Sequence, residues 1–280
     1  MKINKLKKTV GQVFWHAVII ATVIVFLYPF VYMIFTSFKS FKEITAAGAN
    51  ILPNSIKWDN YKRVFEAMPV LSYIGNSLGV AALTMVVKMV TSVLAAYALV
   101  FIPNKYSNKV FYFFVITMFV PFSVIMLPNY LTLAKLNLIN TLVGVALPQF
   151  ADASAIFRLR QAMRLVPKSL IEAARLDKVP HTTCLTKIVM PLIKSSIASQ
   201  CIFMFVNSWN EYVWPMLILR NKEMQTVTLA MKTFTNSEGG AVGWGPSMAL
   251  ATLSITLPAI LYLIAQRQII SSFMSSGIKE

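Results

Sequence analysis

Charge is what this sequence has least of. Asp, Glu, Lys and Arg together make up 13% of its 280 residues, while 57% are hydrophobic. A soluble globular domain carries about 25% charged residues, so the chain cannot cover a water-facing surface of ordinary composition. Cysteine is nearly as scarce. Cys184 and Cys201 are too few for a disulfide framework and have no metal-ligand spacing. The two histidines, His16 and His181, have no carboxylate, cysteine or second histidine at ligand spacing, which argues against a metal or pH role. No G-x-x-x-x-G-K-[ST] stretch is present, so the chain has no P-loop for ATP. A Ser-His-acid arrangement, an internal repeat and a low-complexity linker are likewise missing.

Long apolar runs are what the chain has instead. About 20 apolar residues cross the hydrocarbon core as a helix, and six segments qualify: 13–37, 71–101, 110–133, 138–157, 192–219 and 247–265. The first exceeds the roughly 7–15 apolar residues of a signal peptide and ends without a small-x-small cleavage site, so it reads as a retained span. The fourth is the weakest, interrupted by Pro148 and Asp152. Prolines in the other spans are tolerable because neighbouring helices re-satisfy the carbonyls they free. The reading is an all-α membrane protein, a single domain over 1–280 with six transmembrane helices.

The net charge of +16 sits between the apolar runs rather than on an amphipathic face, which points to membrane orientation and away from nucleic acid. With the N-terminus in the cytoplasm, the inside segments hold the larger share of the lysines and arginines, so both termini are expected in the cytoplasm. Two loops are long: 38–70 outside, and 158–191 inside, which is the most charged segment.

Within the inner loop, Ser169-Leu170-Ile171-Glu172 has the S-x-x-E pattern of a capping box, predicting a helix from about Leu170. Pro180 ends it, after roughly nine residues. Leu170, Ala173, Ala174 and Asp177 fall at i, i+3, i+4 and i+7, a low face on which another backbone can settle. A helix this short is marginal alone, so it needs something to pack on: its own bundle or a partner.

Glu172-Ala173-Ala174, then Asp177, then Pro191 after about a dozen residues, resemble the EAA loop of bacterial ABC-importer permeases. The resemblance runs over nearly the whole chain: Tyr32 to Lys39, Asn76-Ser77, Ala95 to Ala98, Trp209-Asn210-Glu211-Tyr212 with Trp214-Pro215, Gln266-Arg267 and the tail Ser276 to Lys279 look like carbohydrate-uptake permeases of the shorter, maltose-permease-like type. It implies a six-helix permease subunit of the bacterial inner membrane, with the short helix as a coupling helix formed around Ser169, Glu172, Ala173, Ala174, Asp177 and Lys178. It also implies a second permease as partner in a heterodimer, two ATP-binding subunits that carry ATP and Mg, and an extracytoplasmic solute-binding protein. Lys178 departs from the family pattern, which has glycine there. The lysine must adopt a less favourable turn or extend the helix slightly.

An ionisable residue at mid-bilayer costs at least ~2.5–3.5 kcal/mol, so it faces a partner or a cavity. Lys88 near the middle of span two and Asp152 in span four are such residues, either an ion pair across the bundle or a lining of the solute path. Glu211, expected in the outer half of span five, and Asn207 are further candidates for the solute path. A lysine in the path suits an anionic solute, and span two, the region around Pro148 and the aromatic run also resemble glycerol-3-phosphate permeases. Trp209, Tyr212 and Trp214 fit either interface anchors or a sugar-binding face oriented by Asn210. Two rivals stand beside the importer: an ion-coupled secondary transporter, which predicts inverted repeats, and a membrane enzyme, which predicts a catalytic cluster.

Overall fold

The computed structural model describes residues 2–46, 50–102, 104–237 and 241–277. Among them every regular element is helical. Backbone groups in lipid find no water, so a spanning segment must satisfy them within itself, which a helix does. The chain divides into two compact units, Met1–Pro69 with Thr233–Ile255, and Val70–Lys232 with Thr256–Glu280.

The first unit begins with α1 (Lys2–Ser37), followed by α2 (Phe41–Thr45) and α3 (Asp59–Ala67). The stretch Gly11–Ser37 of α1 has a mean hydropathy of 2.5, and its most apolar part contains no buried residue, as in a lipid-facing or partner-facing helix. Where α1 ends, polar groups lock the exit. Asn60 donates from Nδ2 to the carbonyls of Ser37 (2.9 Å) and Lys39 (2.8 Å), and the Ser37 hydroxyl meets that of Tyr61 at 2.8 Å. Lys39 donates from Nζ to the Asn50 carbonyl. Phe38, Trp58 and Tyr61 form a ring cluster with centroids 5.0–5.3 Å apart. Helix α2 opens with a capping box: Ser40 accepts from the Glu43 amide, and the Glu43 carboxylate accepts from the Ser40 amide and from the Asn54 amide at 2.8 Å. Those hydrogen bonds, the Ser40 hydroxyl foremost, draw the Glu43 pKa down to about 2.

The second unit is organised on α4 (Val70–Phe101), at 32 residues about 48 Å long at 1.5 Å per residue. Around it come α5 (Ser107–Thr117), α6 (Phe122–Lys135), α7 (Leu142–Ala146), α8 (Ala153–Met163), α9 (Lys168–Leu176) and α10 (His181–Thr183). A π-helical stretch Cys184–Val189 then leads into α11 (Met190–Leu192), α12 (Lys194–Asn210) and α13 (Val213–Ile218). The last two helices, α14 (Val227–Ser237) and α15 (Ala241–Gly277), each contribute to both units. Helix α4 packs on α12, α8 and α7, and carries an apolar core toward each end. Val80 joins Leu133, Val145, Trp214 and Ile218 in one core, while Val93, Ala96, Tyr97 and Phe101 join Leu159, Met163 and Val189 in the other.

Among the described residues three helices are long and apolar enough to cross a membrane unaided: Gly11–Ser37, Val70–Phe101 and Gly243–Arg267. These match the first, second and sixth expected spans. The other three expected spans are not continuous helices. Ser107–Thr117 and Phe122–Lys135 meet at 97°, because Pro121, in extended conformation, forces the chain out of the helix. The fourth breaks by 49° at Pro148 and Asp152, where the sequence interrupts it, and continues to Met163, past the expected end at 157. The fifth bends by 85° at Ile193, and its apolar run divides again after Asn210. Of the tail that resembles the permease pattern, Ile278 and Lys279 lie outside the described residues.

Candidate functional site

Helix α9 does not start as the sequence predicts. Pro167 is its N-cap, without a side-chain cap bond, and the helix begins at Lys168. The ring of Pro167 holds φ at −57° and has no amide to satisfy. Ser169 therefore lies inside the first turn, and it and Glu172 are both exposed rather than capping each other. The C-terminus ends as a Schellman turn. Lys178 adopts φ +54°, Val179 donates its amide to the Ala174 carbonyl at 2.9 Å, and Lys178 to that of Arg175 at 3.0 Å. Of the two conformations open to Lys178, the strained turn is the one it takes.

The faces of α9 also differ from expectation. Ile171 and Ala174, 6% exposed each, sink into the core formed by Tyr97, Phe101 and Met163. Ala174 is thus part of the root of the helix, not of its open face. Burial pairs it with Ile171, three residues back, rather than with Ala173. The open side carries Ser169, Glu172, Ala173 and Leu176, the last 84% exposed, with Leu170 and Asp177 on its flank. Arg175 ties the root further, donating from Nη2 to the Phe101 carbonyl at 2.6 Å. Beyond Pro180, the His181 ring nitrogen Nδ1 meets the Tyr97 hydroxyl at 3.0 Å. Pro191 lies exposed in α11, just before the bend at Ile193.

A polar belt crosses α4 between its two apolar cores. Lys88 Nζ lies 3.6 Å from Asp152 Oδ2, with side chains only 12% and 23% exposed. Asp152 is also the N-cap of α8: its Oδ1 accepts from the amides of Ser154 (2.8 Å) and Ala155 (3.1 Å). The sequence places Arg158 in the inner loop, but α8 carries it into this belt. It donates from Nε to Gln200 Oε1 at 2.7 Å and from Nη2 to Ser154 Oγ at 3.1 Å, and lies over the Phe203 ring. The i, i+4 spacing of Ser154 and Arg158 was the available signal. Lys88 and Phe101 are thirteen residues apart on one helix, so the belt and the root of α9 stand about 20 Å from each other.

The aromatic run lies at a break rather than within a span. Glu211 follows the end of α12 in extended conformation, and its Oε1 accepts from the amides of Val213 (2.9 Å) and Trp214 (3.3 Å). It thereby caps α13 instead of occupying a helix interior. Trp209 and Trp214 are 2% and 1% exposed. Trp209 stacks on Phe205, and Trp214 meets Phe122 edge-on. Asn207, Asn210 and Tyr212 are exposed, while Ser208 and Trp209 between them are buried. Asn76 and Ser77, at the start of α4, hold the segment after α13: Asn76 Nδ2 donates to the carbonyls of Glu223 and Gln225, each at 3.0 Å, and the Val227 amide donates to Ser77 Oγ at 2.8 Å.

Residues 88–270, which contain the belt, α9 and the aromatic run, match the family model described as "Binding-protein-dependent transport system inner membrane component". The chain is 30% identical to the arabinooligosaccharides transport system permease protein AraQ of Halalkalibacterium halodurans, over 90% of this chain and 91% of that protein. It is 28% identical to the sn-glycerol-3-phosphate transport system permease protein UgpE of Yersinia pestis bv. Antiqua, over 95% and 96%. Among solved structures, a bacterial ABC transporter involved in the import of the acidic polysaccharide alginate has a chain of the same fold. Its TM-score is 0.82 at 22% identity, covering 93% of this chain and 97% of that one.

Proposed function

The chain belongs to the family of binding-protein-dependent transport system inner membrane components, and we propose that it forms half of the pore of an ATP-driven carbohydrate importer. Each bent helix pair then counts as one crossing, giving six spans, with both termini in the cytoplasm of a bacterial cell and the protein in its inner membrane. A second permease completes the pore. Two ATPase subunits carry ATP and magnesium and receive α9, and an external binding protein delivers solute to the opposite side.

The observation that carries this reading is the two-faced burial of α9. Ile171 and Ala174 fix it to α4, while Glu172, Ala173 and Leu176 stand open. A nine-residue helix gains most of its stability from packing, so a partner that grips the open face moves the helix and its root together. Closure of the ATPase pair then reaches α4 through Tyr97 and Phe101, and the spans switch the pathway from inward-facing to outward-facing.

Substitution of Ala173 by Arg tests the docking. Because Ala173 is exposed, stability should stay within about 0.5 kcal/mol. Pull-down of the co-expressed ATPase and solute uptake should both be lost. If the ATPase is retained and uptake continues, also for Glu172→Ala, the importer reading fails.

A second reading concerns the solute. The polar belt holds two cations, Lys88 paired with Asp152 and Arg158 bonded to Gln200 and Ser154, but one carboxylate, an excess of positive charge that suits an anionic or phosphorylated solute. Uptake by the Lys88→Met variant decides it: an unchanged rate removes the lysine from the path.

A further inference from the structure

A cavity of about 410 Å³ opens behind α9, between the end of α4 and the elbow that joins α8 to α9. Arg160, Arg164, Lys168 and Arg175 line it, against one carboxylate, that of Glu172. Among the described residues none of the four cations is in an ion pair. The innermost is Arg160, 7% exposed, with its guanidinium 3.8 Å from the centre of the Phe111 ring. Its Nη2 reaches Asn108 Oδ1 at 3.3 Å, and its buried Nε has no hydrogen-bond partner. Leaving a buried donor of a charged group unsatisfied is costly. The remaining wall, which includes Phe101, is largely apolar.

We propose that this cavity binds a phosphate ester, its phosphate held by Arg160, Arg164, Lys168 and Arg175. Guanidinium groups present planar forks of donors that match phosphate oxygens two at a time, and the unbalanced positive charge calls for an anion of more than one negative charge. The volume falls in the range of ligand pockets, about 300–1,000 Å³, and exceeds the needs of a bare anion, so an organic remainder rests on the apolar wall. Glu172 at the rim accepts a hydrogen bond from a hydroxyl on that remainder. Such a ligand ties α8 to α9 and stiffens the root of α9. Two sources share this chemistry: the headgroup of an anionic phospholipid and a soluble phosphate ester.

The test uses the full chain purified in an uncharged detergent, its melting followed against added ligand. Phenyl phosphate is the soluble probe, phosphatidic acid, likewise a phosphomonoester, in mixed micelles the lipid probe, and phosphatidylcholine the control. One probe or both should raise the melting temperature, and the one that does identifies the source. In the double variant Arg164→Gln/Lys168→Gln, whose positions do not support the fold, half-saturation should move to about tenfold higher concentration or more. No shift in the unmodified chain, a shift unaltered in the double variant, or an equal response to phosphatidylcholine overturns the proposal. So does cross-linking of Lys168→Cys to an acidic segment of a co-expressed ATPase, which would make the cavity a protein contact. Because the readout is ligand-dependent melting, it stands apart from uptake and from ATPase docking.

Discussion

The amide of Val179 donates to the carbonyl of Ala174 at 2.9 Å, and the bond closes only because Lys178 between them turns left-handed. A residue with a Cβ pays roughly 1–2 kcal/mol in that conformation, part of which glycine recovers before its own entropy cost. Lys178→Gly should therefore raise stability by up to about 1 kcal/mol, and Lys178→Val, β-branched, should lower it. Thermal melting of the two variants checks the sign.

The ion pair of Lys88 and Asp152 makes a second prediction. Removing one partner of a fully buried pair leaves the other charge uncompensated, at about 3–5 kcal/mol, and less where the side chains stay 12% and 23% exposed as here, whereas replacing both is much milder. Lys88→Met alone should melt well below the unmodified protein, and Lys88→Met/Asp152→Asn should regain most of the loss. Uptake by the double variant then separates support of the fold from contact with solute.

Gly245 makes a third. A Cβ there would lie 2.6 Å from Oδ1 and 2.8 Å from Nδ2 of Asn60, the amide that holds the carbonyls of Ser37 and Lys39. Gly245→Ala should displace Asn60 and cost about 1–3 kcal/mol. Hydrogen exchange should rise across residues 37–61, and Asn60→Ala should reproduce that pattern.

The fourth concerns acid. In the folded chain Glu43 titrates at about 2, below its ordinary 4.5, because the Ser40 hydroxyl and amide and the Asn54 amide all donate to its carboxylate. A depressed carboxylate stabilises the fold above its unfolded value, and the contribution fades as pH falls from about 4.5 toward 2. The protection of the Asn54 amide, its slowing relative to a free peptide amide at the same pH, should be high at neutral pH and fall across that window. Glu43→Gln should remove most of the pH dependence.

Composition and run length make the membrane class legible, because lipid tolerates few charges and each crossing needs a minimum length. The fourth span is visibly weak in the sequence, since Pro148 and Asp152 interrupt it, and the fold breaks there. Pro121 and Pro191 carry no such clear message. A membrane proline can sit in an intact helix or end one, and its neighbours decide which. The capping box at Ser169 fails for a local reason, since Pro167 starts the helix first. Spacing puts Ala174 on the open face because it groups residues on a wheel without saying which side meets the core. Ile171, the larger apolar residue, turns inward and takes Ala174 with it. Arg158 and Gln200 escape a sequence reading because a cation at the expected edge of a loop looks solvated until the helix is seen to continue past it.

Of the six candidate spans, Val70–Phe101 is the one without a proline in the second unit's core. Its neighbours there are jointed, at 97°, 49° and 85°. The unbroken helix holds the segment after α13 at one end and the root of α9 at the other. Mechanically this is a stiff rod among hinged struts. A displacement applied at Phe101 reaches Asn76 with little lost to bending on the way, while the struts beside it fold to absorb the change in shape.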